Sequence, residues 1–207
     1  MAVDSYIYRE RRGNGAGAPL LLLLHGTGGD ENQFFGLGGQ LLPGAHLLGV
    51  RGDVLERGMP RYFRRTGEGV YDMDDLAQRT EKMAAFIAAH REASGAASVY
   101  GFGYSNGANI LASVLFKAPE LLDGAVLLHP LIPFTPAPQP GLKDKRVLIT
   151  AGRRDPIAPA ATTEVLVNWL SGQGAAVETL WHGGGHEIVR EELDAAKAFL
   201  EPAALPA

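Results

Sequence analysis

The sequence predicts an α/β protein built on a mostly parallel sheet, and three observations carry that expectation. Strand-like and helix-like segments alternate along the chain. The run Leu20-Leu21-Leu22-Leu23-Leu24 is apolar at every position, as a strand covered on both faces must be. The pentapeptide Gly103-Tyr104-Ser105-Asn106-Gly107 separates a short β-prone stretch from a helical one. Strands separated by helices build a mainly parallel sheet with helices on both faces.

The elements follow in order. Apolar β-type runs near 6–10, 20–25 and 46–50 open the chain, and a helical pattern follows over 73–92. Its start lies among Asp72, Asp74 and Asp75, acids that suit the positive end of a helix dipole. Ala97-Ser98-Val99-Tyr100-Gly101-Phe102 is short and apolar and gives a strand near 98–102; the residues after Ser105 give a helix over 105–117. Strands near 124–128 and 146–151 come next, joined through a Pro-rich stretch, 130–140, which has no helical pattern and is too short for a lid domain. A helix over 159–172, a strand near 177–181 and a helix over 190–201 complete the series, about seven strands in all, and 201–207 is expected to fray.

At 207 residues the chain is expected to form a single domain, 1–207, large enough for a substantial core. The net charge of −4 is mild and offers no basic face for nucleic acid. Without cysteine the chain has no disulfide, no thiolate metal ligand and no thiol nucleophile, which fits a reducing compartment. The first residues lack the basic and apolar regions of a signal peptide, and 20–24 is far too short to cross a bilayer. These features point to a cytoplasmic protein without membrane insertion.

Gly-x-Ser-x-Gly between a strand and a helix has the form of a nucleophile elbow, a turn so sharp that side chains two residues before and after the serine would collide. A serine hydroxyl needs a base to take its proton, and the base needs a carboxylate to orient it. Val147-Leu148-Ile149-Thr150-Ala151-Gly152 reads as a buried strand leading to Asp155 in the following loop. The strand near 177–181 is followed by His182-Gly183-Gly184-Gly185-His186-Glu187. Both histidines are candidates; the three glycines give His186 the reach to turn toward Ser105, so it is the preferred base. The order Ser105, Asp155, His186 is that of α/β-hydrolases, and all three follow carboxyl ends of strands, where open α/β sheets hold their sites. Acyl transfer also needs donors for an oxyanion. The backbone N–H groups of Thr27, in His25-Gly26-Thr27-Gly28-Gly29-Asp30, and of Asn106 are the candidates.

Four segments carry a family resemblance: His25-Gly26-Thr27-Gly28-Gly29-Asp30-Glu31, Gly101-Phe102-Gly103-Tyr104-Ser105-Asn106-Gly107-Ala108-Asn109, Ala151-Gly152-Arg153-Arg154-Asp155-Pro156-Ile157 and Gly183-Gly184-Gly185-His186-Glu187. They resemble the phospholipase/carboxylesterase branch of α/β-hydrolases, which includes acyl-protein thioesterases and small bacterial carboxylesterases. Arg51-Gly52-Asp53-Val54-Leu55-Glu56-Arg57-Gly58-Met59-Pro60-Arg61-Tyr62-Phe63-Arg64-Arg65 looks like bacterial carboxylesterases associated with quinone-responsive aromatic catabolism, and 51–71 departs from the thioesterases. The resemblance implies an α/β-hydrolase fold without a cap domain and a serine hydrolase needing no cofactor. It implies a small-molecule ester substrate, with lysophospholipase or acyl-protein thioesterase activity as the alternative, and allows a homodimer.

Other readings compete. His25, Tyr62, Phe63, Tyr104 and His129 are expected at the substrate pocket, although His25 also suits bonding to loop backbone and Tyr62, Phe63 and Tyr71 suit a core. Arg57, Arg61, Arg64 and Arg65 fit an anionic substrate or, more simply, a solvated loop face. His182 and His186 have a spacing that suits a metal only on a helix, which the glycines between them oppose. Gly101, Gly103 and Gly107 have the wrong spacing for a dinucleotide loop. His46 and His90 carry no signal. A non-catalytic hydrolase-fold binder is the rival from another class.

Overall fold

The computed structural model describes residues 2–201, so the expected fraying falls almost wholly outside the described residues. Strands β1 (Tyr8–Arg11) and β2 (Leu20–Leu24), helix α1 (Phe35–Leu41) and β3 (His46–Val50) are followed by four short strands: β4 (Val54–Glu56), β5 (Met59–Arg61), β6 (Arg65–Gly67) and β7 (Val70–Tyr71). Helix α2 (Met73–Ser94), β8 (Val99–Tyr104), α3 (Asn106–Lys117), β9 (Gly124–Leu128), β10 (Arg146–Gly152), α4 (Ala160–Gly172), β11 (Ala176–His182) and α5 (Arg190–Leu200) complete the order.

Seven strands form one sheet in the order β1-β3-β2-β8-β9-β10-β11. Only β1 runs antiparallel to its neighbour; the other pairings are parallel. This is the mainly parallel sheet expected from the alternating segments. The five leucines of β2 are each at most 2% exposed because alternate side chains enter different cores. Leu20, Leu22 and Leu24 pack with Met83 and Phe86 of α2, Leu111 and Val114 of α3 and Leu166 of α4. Leu21 and Leu23 pack with Phe35 and Leu41 of α1 and Phe199 of α5. Each such leucine contributes about 2 kcal/mol of burial. The long α2 starts with the Asp72 carboxylate accepting the Asp75 N–H at 3.1 Å and stops at Gly95 in the left-handed region.

Two features lie outside the sequence expectations. Helix α1 forms over seven residues that include three glycines. Residues 54–71 fold into two ribbons, β4 with β5 and β6 with β7. The first turns through Arg57 (φ 53°) and Gly58 (φ 81°), the paired positive φ values of a tight hairpin. Among the described residues no helix is long and apolar enough to cross a membrane.

Candidate active site

Ser105 stands between β8 and α3 at φ 52°, ψ −115°, a region costly for a residue with a Cβ. Its N–H donates to the Leu128 carbonyl at 2.9 Å, tying the turn to the next strand. Both flanking glycines are sterically required. A Cβ on Gly103 would lie 2.6 Å from the Gly107 carbonyl oxygen, and one on Gly107 would overlap the carbonyls of Leu24 and His25.

His186 reaches Ser105 from the loop after β11, and Asp155 reaches His186 from the loop after β10. The imidazole Nε2 is 2.9 Å from Ser105 Oγ, and Nδ1 is 2.7 Å from Asp155 Oδ2. A carboxylate only accepts, so the proton is assigned to Nδ1, leaving Nε2 free to accept from the serine hydroxyl. The other Asp155 oxygen accepts the N–H groups of Ile157 at 2.8 Å and Ala158 at 2.9 Å. Burial pushes the Asp155 carboxyl up, but the Ala158 N–H, the rings of His186 and His129 and the Ile157 N–H outweigh it and hold the group below the ordinary carboxylate range.

Backbone contacts pin the loop carrying His186. Arg154 N–H donates to the Gly184 carbonyl at 2.9 Å, Arg154 Nε donates to the Gly183 carbonyl at 2.6 Å, and the Tyr104 hydroxyl donates to the His186 carbonyl at 2.7 Å. Burial, and then the charges of Asp155, Glu192 and Glu187, push the Tyr104 hydroxyl up to about 12, so it stays a donor. His182, the other candidate base, turns away: its Nδ1 accepts the Gly184 N–H at 3.1 Å and its Nε2 faces Glu192.

Asn106 is the first residue of α3, and its N–H has no partner inside that helix. Among the described residues neither it nor the Thr27 N–H donates to a loop or turn carbonyl. Side chains hold both segments. Asn106 Oδ1 accepts the Tyr62 N–H at 2.8 Å, and Thr27 Oγ1 accepts from Arg61 Nη1 at 2.7 Å.

Ser105 and His186 open on a cavity of about 270 Å³ whose walls include Thr27, Arg61, Arg65, Tyr71, Tyr104, Asn109, Leu131 and Ile157. Of the five expected pocket residues Tyr104 lines it, and His25, Tyr62, Phe63 and His129 do not. Tyr62 and Phe63 are completely buried. The Tyr62 hydroxyl donates to the Val50 carbonyl at 2.7 Å and accepts the His25 N–H at 3.0 Å, and the Phe63 ring packs on Tyr71. His25 has both ring nitrogens engaged, Nδ1 with the Gly26 carbonyl at 2.6 Å and Nε2 accepting the Gly52 N–H at 2.9 Å. Burial holds it below the usual histidine range. His129 lies behind Asp155, fully buried, with Nδ1 2.9 Å from Asp155 Oδ2. Of the arginines, Arg61 and Arg65 share Glu56, at 3.1 and 3.0 Å.

Asn109, Leu131 and Ile157 are wall residues that sequence reasoning missed. Asn109 carried a faint signal, an amide one helical turn after Ser105 on a mostly apolar helix. Its amide donates to the Tyr71 hydroxyl at 2.9 Å and accepts the Leu131 N–H at 2.7 Å, clamping the loop after β9 to the second ribbon.

Matched against models of known families, the chain fits none. Individual proteins do match. MhqD of Bacillus subtilis (strain 168), whose name is that of a hydrolase, is 44% identical over 186 residues, 89% of this chain and 93% of that one. A structure of Atu2452 from Agrobacterium tumefaciens str. C58, a protein of unknown function, is 57% identical, covers 99% of this chain and 100% of that one, and superposes with a TM-score of 0.92. The Bacillus cereus carboxylesterase is 38% identical, with 97% of this chain and 95% of that one covered and a TM-score of 0.89.

Proposed function

The chain belongs to the phospholipase/carboxylesterase family of α/β-hydrolases, and on that premise we propose that it is a serine carboxylesterase acting on small soluble esters through an acyl-enzyme intermediate. The observation that carries this reading is the continuous relay from Ser105 Oγ through His186 to Asp155, at 2.9 and 2.7 Å.

Ser105 Oγ attacks the ester carbonyl carbon as its proton passes to His186 Nε2, while Asp155 holds the ring in the required tautomer. The carbonyl oxygen becomes an oxyanion and receives the N–H groups of Thr27 and Asn106. His186 then delivers its proton to the leaving alkoxide, and the acyl group remains on Ser105. A water gives its proton to the same nitrogen and attacks the acyl carbon; the bond to Ser105 Oγ then breaks, the proton passes from His186 back to Oγ and the acid leaves. A thioester would pass through the same steps.

A cavity of about 270 Å³ lies at the small end of ligand pockets, which supports short acyl or alcohol groups over long chains. Leu131 and Ile157 supply apolar wall. A fluorophosphonate probe should label Ser105 in the folded protein, and a series of 4-nitrophenyl esters should give its highest kcat/KM at short chain length. No labelling would favour a non-catalytic binder. Faster turnover of dispersed long-chain lipids would favour a lysophospholipase.

A further inference from the structure

Behind Asp155 lies a second imidazole that the reaction above does not use. His129 follows β9 at φ 50°, an unfavourable backbone region for a residue other than glycine, and its side chain has no exposure. Its N–H donates to the Thr150 carbonyl at 2.9 Å. Nδ1 lies 2.9 Å from Asp155 Oδ2, the same oxygen that receives His186 Nδ1 at 2.7 Å. Nε2 lies 2.9 Å from Glu192 Oε1, an ion-pair contact in which the ring N–H is not squarely aligned with the oxygen. Glu192, on α5, is equally buried and accepts from Thr150 Oγ1 at 2.5 Å and from the Val189 N–H at 2.7 Å.

Two carboxylates without exposure therefore flank one ring, and buried carboxylates need a compensating charge. Among the described residues no lysine or arginine pairs with either; their only basic neighbours are His129, His182 and His186. His186 keeps Nε2 for the serine hydroxyl. His182 accepts the Gly184 N–H on Nδ1, so its proton is on Nε2, facing Glu192. That tautomer also leaves no lone pair with which His182, His129 and Glu192 could together hold a metal ion. The remaining group is His129. It also faces the Tyr104 ring, 5.9 Å away, and Thr150, and the Glu187 carboxylate is near enough to act on its charge.

We infer that His129 is a buried imidazolium bridging Asp155 and Glu192, a positioning residue that fixes the carboxylate orienting the general base. The inference rests on the proposed role of Asp155. Burial pushes His129 down, but Glu192 and then Asp155 outweigh it and raise it above the usual histidine range. Anchored from both sides, Asp155 Oδ2 has no freedom to swing from His186. The cation also stands 5.1 Å from the His186 ring, centre to centre, and tempers the pull of Asp155 on the proton held there.

The test begins on the unmodified chain. Nitrogen-15 spectra of its six histidines, with His129 assigned by its loss in H129N, should show both His129 nitrogens protonated at neutral pH. A neutral His129 there would overturn the inference. In folded H129N, kcat should fall about tenfold with KM little changed. Removing the cation should also move the acid limb of the kcat/KM profile to higher pH by about half a unit or more. An unmoved acid limb would equally overturn it. Failure of Ser105 to take a fluorophosphonate label would instead sink the hydrolase reading, and the spectra would still report the protonation of His129.

Discussion

Ser105, Asp155 and His186 stand on loops that leave β8, β10 and β11, strands whose register is set by parallel ladders within a seven-stranded sheet. The facing wall, residues 54–71, rests on two ribbons whose strands are two or three residues long. The first wall keeps its groups within hydrogen-bonding distance through a buried core. The second carries exposed side chains such as Leu55, 71% exposed, and is tied to the sheet side by the buried Tyr62, Phe63 and Tyr71 and by a few hydrogen bonds. The proposed catalytic groups thus sit on the rigid half of the cavity, while the exposed positions of the ribbons are the ones expected to tolerate change.

Substitutions on the rigid side should have the largest effects. S105A and H186A should each lower kcat by at least about 1000-fold with the melting temperature little altered, whereas H182A should stay within about tenfold of the unmodified chain. Comparable losses in H182A would overturn the choice of His186 over His182 as the base. Next comes G107A, whose added Cβ would overlap two carbonyl groups. It should cost about 3 kcal/mol in urea unfolding, since backbone there cannot yield as a flexible side chain would.

Acid unfolding probes the same side. Asp155 and Glu192 are held below the ordinary range, so the folded chain binds fewer protons than the unfolded one as they titrate. Their stabilisation is present above the unfolded values and is lost as pH falls through the folded ones. E192Q removes one such group, so below about pH 4.5 its stability should depend less steeply on pH. The smallest effect belongs to the ribbons: L55S should change stability by no more than about 0.5 kcal/mol. A loss of several kcal/mol would show the ribbon to be as firmly built as the strand-end loops.

The same division governs what the sequence reveals. The five inner strands were legible because burial on both faces writes an apolar run, the partly exposed edge strands β1 and β11 only by their place in the alternation, and Ser105, Asp155 and His186 because elbow glycines and strand ends are local features. Helix α1 was not, because Gly36, Gly38 and Gly39 obscure its pattern. Gly38 is there for packing, since a Cβ would lie 2.7 Å from Leu23 Cδ1. The ribbons are too short to show a period. Tyr62 and Phe63 resemble pocket walls by composition, and only their packing against Val50, His25 and Tyr71 makes them core. The place of His129 between two acids depends on Glu192, 63 positions away in the chain, a separation that local pattern does not bridge.

Three consecutive residues, Pro60 and Arg61 at the end of the first ribbon and Tyr62 just after it, bond to the segments of Thr27 and Asn106. The Pro60 carbonyl accepts the Gly28 N–H, Arg61 donates to Thr27 and the Tyr62 N–H donates to Asn106. The two segments carrying the proposed oxyanion donors are therefore held apart by one short stretch of chain, which acts as a caliper set between them. Lengthening or shortening the hairpin that delivers it would reset the caliper, so a change made there to admit a different substrate would carry a change in turnover with it.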